Sequence, residues 1–91
     1  MKRQAIVAAN WKMNGSLSLI KEMISGLNSV KLAENVDVVV CPASPYLSAF
    51  SICAENEHLQ PHIHLGAQNV SEHKSGAYTG EISTDMLNEV S

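Results

Sequence analysis

Apolar positions along this chain switch repeatedly between two periods, and the switches mark its elements. Ala5-Ile6-Val7-Ala8-Ala9 is a continuous apolar run behind charged and polar Lys2, Arg3 and Gln4. Such a run reads as a strand buried on both faces, as in a parallel sheet. It breaks off at Asn10, and Asn14-Gly15 is a turn signal. Leu17, Ile20, Ile24 and Leu27 then form one stripe of an amphipathic helix, capped by Ser16 or Asn14 and running to about Val30. Gly26 weakens that pattern near its end. After the polar connection from Lys31 to Asn35, Val36-Asp37-Val38-Val39-Val40-Cys41 is a second strand, with Asp37 near enough to its start to escape burial.

Pro42 ends that strand, and Ser44-Pro45 is expected to open a second helix, with a capping hydroxyl and proline at the first helical position. The helix carries Leu47, Phe50, Cys53 and Ala54 on one side and fades through Glu55 to His58. Pro61 punctuates, and His62 to Gln68 reads as a third strand. Asn69 to Glu81 is a long loop rich in Ser, Gly and charge, a length that is uncommon unless the loop is functional or disordered. Ser83 or Thr84 caps a last helix holding Met86, Leu87 and Val90, with Asp85 well placed in its first turn. The order βαβαβα predicts an α/β fold with neighbouring parallel strands.

Composition narrows the partners. The chain has 91 residues, a formal net charge of −3, and only six Lys and Arg, so no basic stripe for nucleic acid or an anionic membrane is expected. No apolar run approaches the roughly 20 residues that span a bilayer. No secretory signal is read, and a cytoplasmic location is expected. Cys41 and Cys53 form no CxxC motif and read as free buried thiols.

The first strand ends in Asn10-Trp11-Lys12-Met13-Asn14-Gly15. Later come Leu65-Gly66-Ala67-Gln68-Asn69-Val70 and Ser75-Gly76-Ala77-Tyr78-Thr79-Gly80-Glu81. These stretches, in this order, resemble the first strand-loop and the third strand and loop of the triosephosphate isomerase family, although that family often has Gly where this chain has Ala9. The resemblance implies a parallel (β/α)8 TIM barrel, of which residues 1–91 would be the N-terminal part, a single domain contributing βαβαβα. It implies interconversion of dihydroxyacetone phosphate and glyceraldehyde 3-phosphate through an enediolate, in glycolysis and gluconeogenesis, with no cofactor. Lys12 would be the catalytic cation on substrate and phosphate, and Asn10 a hydrogen-bond donor in the same pocket. The family's catalytic histidine, glutamate base, lid and glycine-rich phosphate loop match nothing in this chain, so the chain alone is expected to be inactive. The third loop, 69–81, would form a homodimer interface through Tyr78, Thr79, Gly80 and Glu81, with Thr79 reaching the partner's Asn10.

Some residues have readings of their own. Trp11 reads as packing between the first strand-loop and its neighbours. Gln68 and Asn69 read first as caps of the long loop and second as pocket groups. His58, His62, His64 and His73 are the densest set of imidazoles, and a His-based metal site is the alternative to catalysis. Pro61 interrupts any helical pairing of His58 with His62, and no cysteine or carboxylate completes a recognised spacing, so no metal is expected. A non-catalytic interaction module docking through loop 69–81 is the remaining alternative.

Overall fold

A computed structural model describes residues 3–90; Lys2, on the polar flank of the first strand, and the terminal Ser91 lie outside them. Three βα units follow one another: β1 Ala5–Asn10, α1 Leu17–Asn28, β2 Val36–Cys41, α2 Leu47–Asn56, β3 Ile63–Leu65 and α3 Thr84–Val90. The strands make one parallel sheet in the order β1-β2-β3. Ala5 pairs with Val36 through to Asn10 with Cys41, and Val38 to Val40 pair with Ile63 to Leu65.

Strand alternation divides each strand between two faces. Val38 and Val40 of β2 face the helices, and Val40 is 2% exposed in a core with Ile20, Ile24, Phe50 and Ile63. Asp37 and Val39 take the opposite face, which no helix covers among the described residues. The stripe on α1 buries Ile20 and Ile24, half-buries Leu27, and leaves Leu17 outside at the helix start. On α2 the expected side is the buried one, with Leu47 and Phe50 inside and Cys53 and Ala54 partly covered.

Capping explains most helix boundaries. Ser16 accepts the Leu19 N–H on its hydroxyl at 3.0 Å, and the helix ends at Asn28, where Ser29 donates to the Gly26 carbonyl at 2.7 Å. Gln60 then donates its amide to the Leu27 and Val30 carbonyls, tying the end of α1 to the approach to β3. Ser83 caps α3 by accepting the Met86 N–H at 3.2 Å.

Four expectations need correction, those on β1, the Ser44 cap, the bounds of β3 and the burial of the cysteines. β1 is exposed along its whole length instead of buried on both faces, because it is an outer strand and the core lies over β2 and β3. Ser44 caps nothing: Ala43 is the cap residue of a short 3-10 turn, Ser44–Tyr46, with Pro45 in its first positions, and that turn leads into α2. β3 is only Ile63–Leu65, shorter than His62–Gln68. Beyond it the Gly66 N–H still donates to the Val40 carbonyl at 2.9 Å, but the ladder then ends. Gly66 has no room for a side chain there, since a Cβ would sit 2.9 Å from Cys41 Sγ and 3.0 Å from Val39 Cγ1. On α3, Met86 and Val90 stay exposed, because the helix meets α2 on one side and has no second layer over it among the described residues. Both cysteines are free, as expected, but half-buried.

Candidate active site

The C-terminal ends of parallel strands are where open α/β sheets and barrels bind ligands, because the loops leaving them converge there. Lys12 leaves β1 at that end with φ +56, the left-handed region that lysine rarely adopts. A non-glycine residue there costs of order 1–3 kcal/mol and persists only where its surroundings over-determine it.

The surroundings do so at both of its backbone groups. Asn10 Oδ1 accepts the Lys12 N–H at 2.8 Å. Gln68 Nε2 donates to the Lys12 carbonyl and to the Cys41 carbonyl, each at 2.9 Å. One amide from the end of β3 therefore joins the ends of all three strands. The residue before is also held, since the Trp11 N–H donates to the Cys41 carbonyl at 3.1 Å and its own carbonyl accepts Asn14 Nδ2 at 3.0 Å. Trp11 packs its ring edge-on against buried Phe50, centroids 6.4 Å apart, which confirms the packing role.

A cleft of about 260 Å³ opens at these strand ends, lined among others by Lys12, Ser44, Gln68, Asn69 and Glu81. Lys12, Gly80 and Glu81 thus border one space. Asn10 does not line it; its side-chain oxygen is committed to the Lys12 N–H, which leaves the two Nδ2 hydrogens as its donors. Asn69 uses its side chain locally, accepting the Val70 N–H at 2.9 Å.

The long loop has no regular structure, yet it is tied. The Ser71 N–H donates to the Ile82 carbonyl at 2.8 Å and closes the loop's base. At its end the Glu81 N–H donates to the Tyr78 carbonyl at 3.0 Å, with Gly80 at φ +84, the third-position geometry of a type II turn. Tyr78 folds back to stack on His73, centroids 4.0 Å apart and 3° from parallel. That position needs Gly76 bare: a Cβ on Gly76 would lie 2.8 Å from the Tyr78 ring. Tyr78 remains 46% exposed, and Thr79 is exposed beside it.

The four imidazoles are not gathered. His58 closes α2 in the left-handed conformation at φ +51, and the Leu59 N–H reaches back to the Ala54 carbonyl at 2.9 Å, a Schellman termination. His73 belongs to the loop stack. His62 and His64 sit together, both on Asp37. Among the described residues no three His, Cys, Asp or Glu side chains assemble as metal ligands, and no helix is long and apolar enough to cross a membrane.

Sequence reasoning missed the Gln68 bridge; its only trace was a long polar side chain at a strand end next to a long loop. Gln68→Met, which keeps volume and removes both donated bonds, is expected to lower stability by about 1–2 kcal/mol. Amide exchange at residues 11–15 should accelerate more than in β2. Unchanged protection there would show that Lys12 is held without Gln68.

A family model described as triosephosphate isomerase matches residues 5–91. The triosephosphate isomerase of Colwellia psychrerythraea is 59% identical over 87 residues, which cover 96% of this chain and 34% of that protein. Those of Debaryomyces hansenii and Saccharomyces cerevisiae are each 41% identical over 90 residues, covering 99% of this chain and 35% of each. The chain therefore spans about a third of the length of the curated relatives it matches.

Proposed function

Because the chain belongs to the triosephosphate isomerase family, we propose that it supplies the lysine corner of an active site interconverting dihydroxyacetone phosphate and glyceraldehyde 3-phosphate. The observation that carries this reading is Lys12, held in a left-handed backbone from both sides at the mouth of a cleft. Strain at a lysine has no packing benefit here, since the residue is exposed. On this reading the strain serves to aim an ammonium.

The chemistry follows from that placement. Moving a proton between adjacent carbons of a triose phosphate builds negative charge on the oxygens as the enediolate forms. A fixed ammonium stabilises that charge, and the phosphate dianion, without reorganising at the moment of reaction. Lysine suits a phosphate as a compact point charge. Asn10, whose side-chain oxygen holds the Lys12 N–H, would supply its Nδ2 as a neutral donor at the same strand end. The base and the imidazole electrophile would come from the rest of the protein, and no cofactor is needed.

Residues 1–91 would then be the N-terminal part of one eight-stranded barrel of a cytoplasmic, glycolytic enzyme. The exposed β1 supports this, since an outer strand with Ile6 68% and Val7 56% exposed offers both an unpaired edge and apolar side chains. Loop 69–81 would make the homodimer contact, with Tyr78, Thr79, Gly80 and Glu81 at its tip. Its internal ties support that role, because a pre-ordered loop loses less entropy on docking.

Two measurements test the proposal. A chimera in which residues 5–90 replace the matching segment of the Colwellia psychrerythraea relative should isomerise triose phosphates, while this chain by itself should not. A folded but inactive chimera would overturn the catalytic reading. Thr79→Arg in the same chimera should shift sedimentation toward the monomer at micromolar concentration, by placing a bulky charge at the loop tip. An unchanged sedimentation coefficient would remove the interface.

A further inference from the structure

Gln68 borders the cleft, yet it has no hydrogen left to give a ligand. Its amide nitrogen carries two, and they go to the Lys12 and Cys41 carbonyls, each at 2.9 Å. The Cys41 carbonyl is equally full, because it also accepts the Trp11 N–H at 3.1 Å. The only polar atom Gln68 keeps in reserve is an oxygen, which attracts neither a phosphate dianion nor a developing enediolate. Its amide acts on the protein itself. Resting on the function proposed above, we propose that Gln68 is a positioning residue for the isomerisation. By fixing the Lys12 carbonyl it sets where the ammonium points.

Lys12 depends on such a hold. Its ammonium makes no ion pair among the described residues, so its direction is left to the backbone. The rotations φ and ψ of Lys12 lie between two rigid peptide planes. Asn10 Oδ1 fixes the plane before it, through the Lys12 N–H, and Gln68 fixes the plane after it, through the carbonyl. Release either plane and the residue can turn. The next tie to the body, the Tyr46 hydroxyl on the Gly15 carbonyl at 3.3 Å, comes three residues later. The torsions of Met13 and Asn14 lie in between, so that bond cannot replace Gln68.

Magnitudes decide which way Lys12 turns. A left-handed non-glycine residue costs about as much as one amide–carbonyl hydrogen bond returns. At φ +56, losing the Gln68 bond therefore tips Lys12 toward ordinary backbone. The swing is carried to the end of a long side chain. A displacement of about 1 Å can cost about 10²-fold in rate. Partial relaxation gives a smaller loss.

The test uses the active chimera carrying residues 5–90. Gln68→Met keeps the length of the side chain and donates nothing. Gln68→Asn keeps the amide on a stem one methylene too short to bridge both carbonyls. Each should lower kcat/KM by about tenfold, with KM raised and kcat lowered together. Inorganic phosphate should bind more weakly to both variants. A merely structural role would shrink the active fraction and lower kcat alone. In the Lys12→Gly background either substitution should cost little further activity, because no ammonium is left to aim. Should Gln68→Met fail to fold, Gln68→Asn decides. Parent kinetics in a folded Gln68 variant would overturn the positioning role. So would a loss confined to kcat, or an equal loss with and without the lysine. The underlying reading fails separately: full activity in Lys12→Ala would overturn the proposed function, whereas an inactive Lys12→Ala beside unaffected Gln68 variants overturns the positioning alone.

Discussion

Lys12→Ala, made in an active chimera carrying this chain, should lower kcat/KM by about 10²–10³-fold, the range that loss of one preorganised electrostatic group costs. The loss should fall on kcat as well as KM, because on the proposed reading the ammonium would meet a phosphate present throughout and an enediolate charge present only in the transition state. Inorganic phosphate should bind more weakly too. Lys12→Gly separates the charge from the backbone. Glycine takes φ +56 without strain, so that variant should lose as much activity as the alanine variant while staying about as stable as the parent. If Lys12→Ala kept full activity, the strained lysine would have to be explained by something other than chemistry, and the functional reading would fail.

Phe50→Ala should have the largest effect on the fold. Phe50 is 1% exposed and sits in the core with Ile20, Ile24, Val40 and Ile63. It also takes the edge of Trp11, so it connects the helix layer to the segment that carries Lys12. Removing a buried phenyl ring costs about 3–5 kcal/mol in transfer and cavity terms. Domains of this size hold only about 5–15 kcal/mol in all. With few fully buried side chains sharing the load, the variant should unfold largely at room temperature, with loss of near-ultraviolet dichroism from Trp11. Phe50→Leu should cost less than half as much. Equal urea midpoints for the parent and Phe50→Ala would mean that the core does not hold the fold together.

Local chemistry was legible wherever its partners lie within a few residues. Ser16 is a cap because its hydroxyl and the Leu19 N–H belong to one turn. The six residues of β2 were read to the residue, since a β-branched run stopped by Pro42 has few alternatives. Errors arose where the answer depended on neighbours. β1 has the apolar run of a buried strand, but burial is decided by what lies against it. β3 ends at Leu65, short of the expected Gln68, although the Gly66 N–H still bonds the Val40 carbonyl. At the Ser44-Pro45 pair, the sequence pattern allowed a capping hydroxyl one residue later than the cap that formed.

Sequence by itself determined the α/β class, the order of elements, the helix faces built on Ile20, Ile24 and Phe50, and Lys12 as the residue to watch. The class, the order and the faces rest on spacing along one chain, and Lys12 on the family resemblance of its strand-loop. Tertiary structure alone decided that Gln68, 56 positions away, holds the Lys12 carbonyl, and that Asp37 meets two histidines 25 and 27 positions away. It also decided that Tyr78 lies on His73 instead of standing free. The reason is one of range. Propensity and periodicity act over a helical turn or a strand pleat, whereas a parallel register brings distant residues to one strand end, and only there do their donors and acceptors meet.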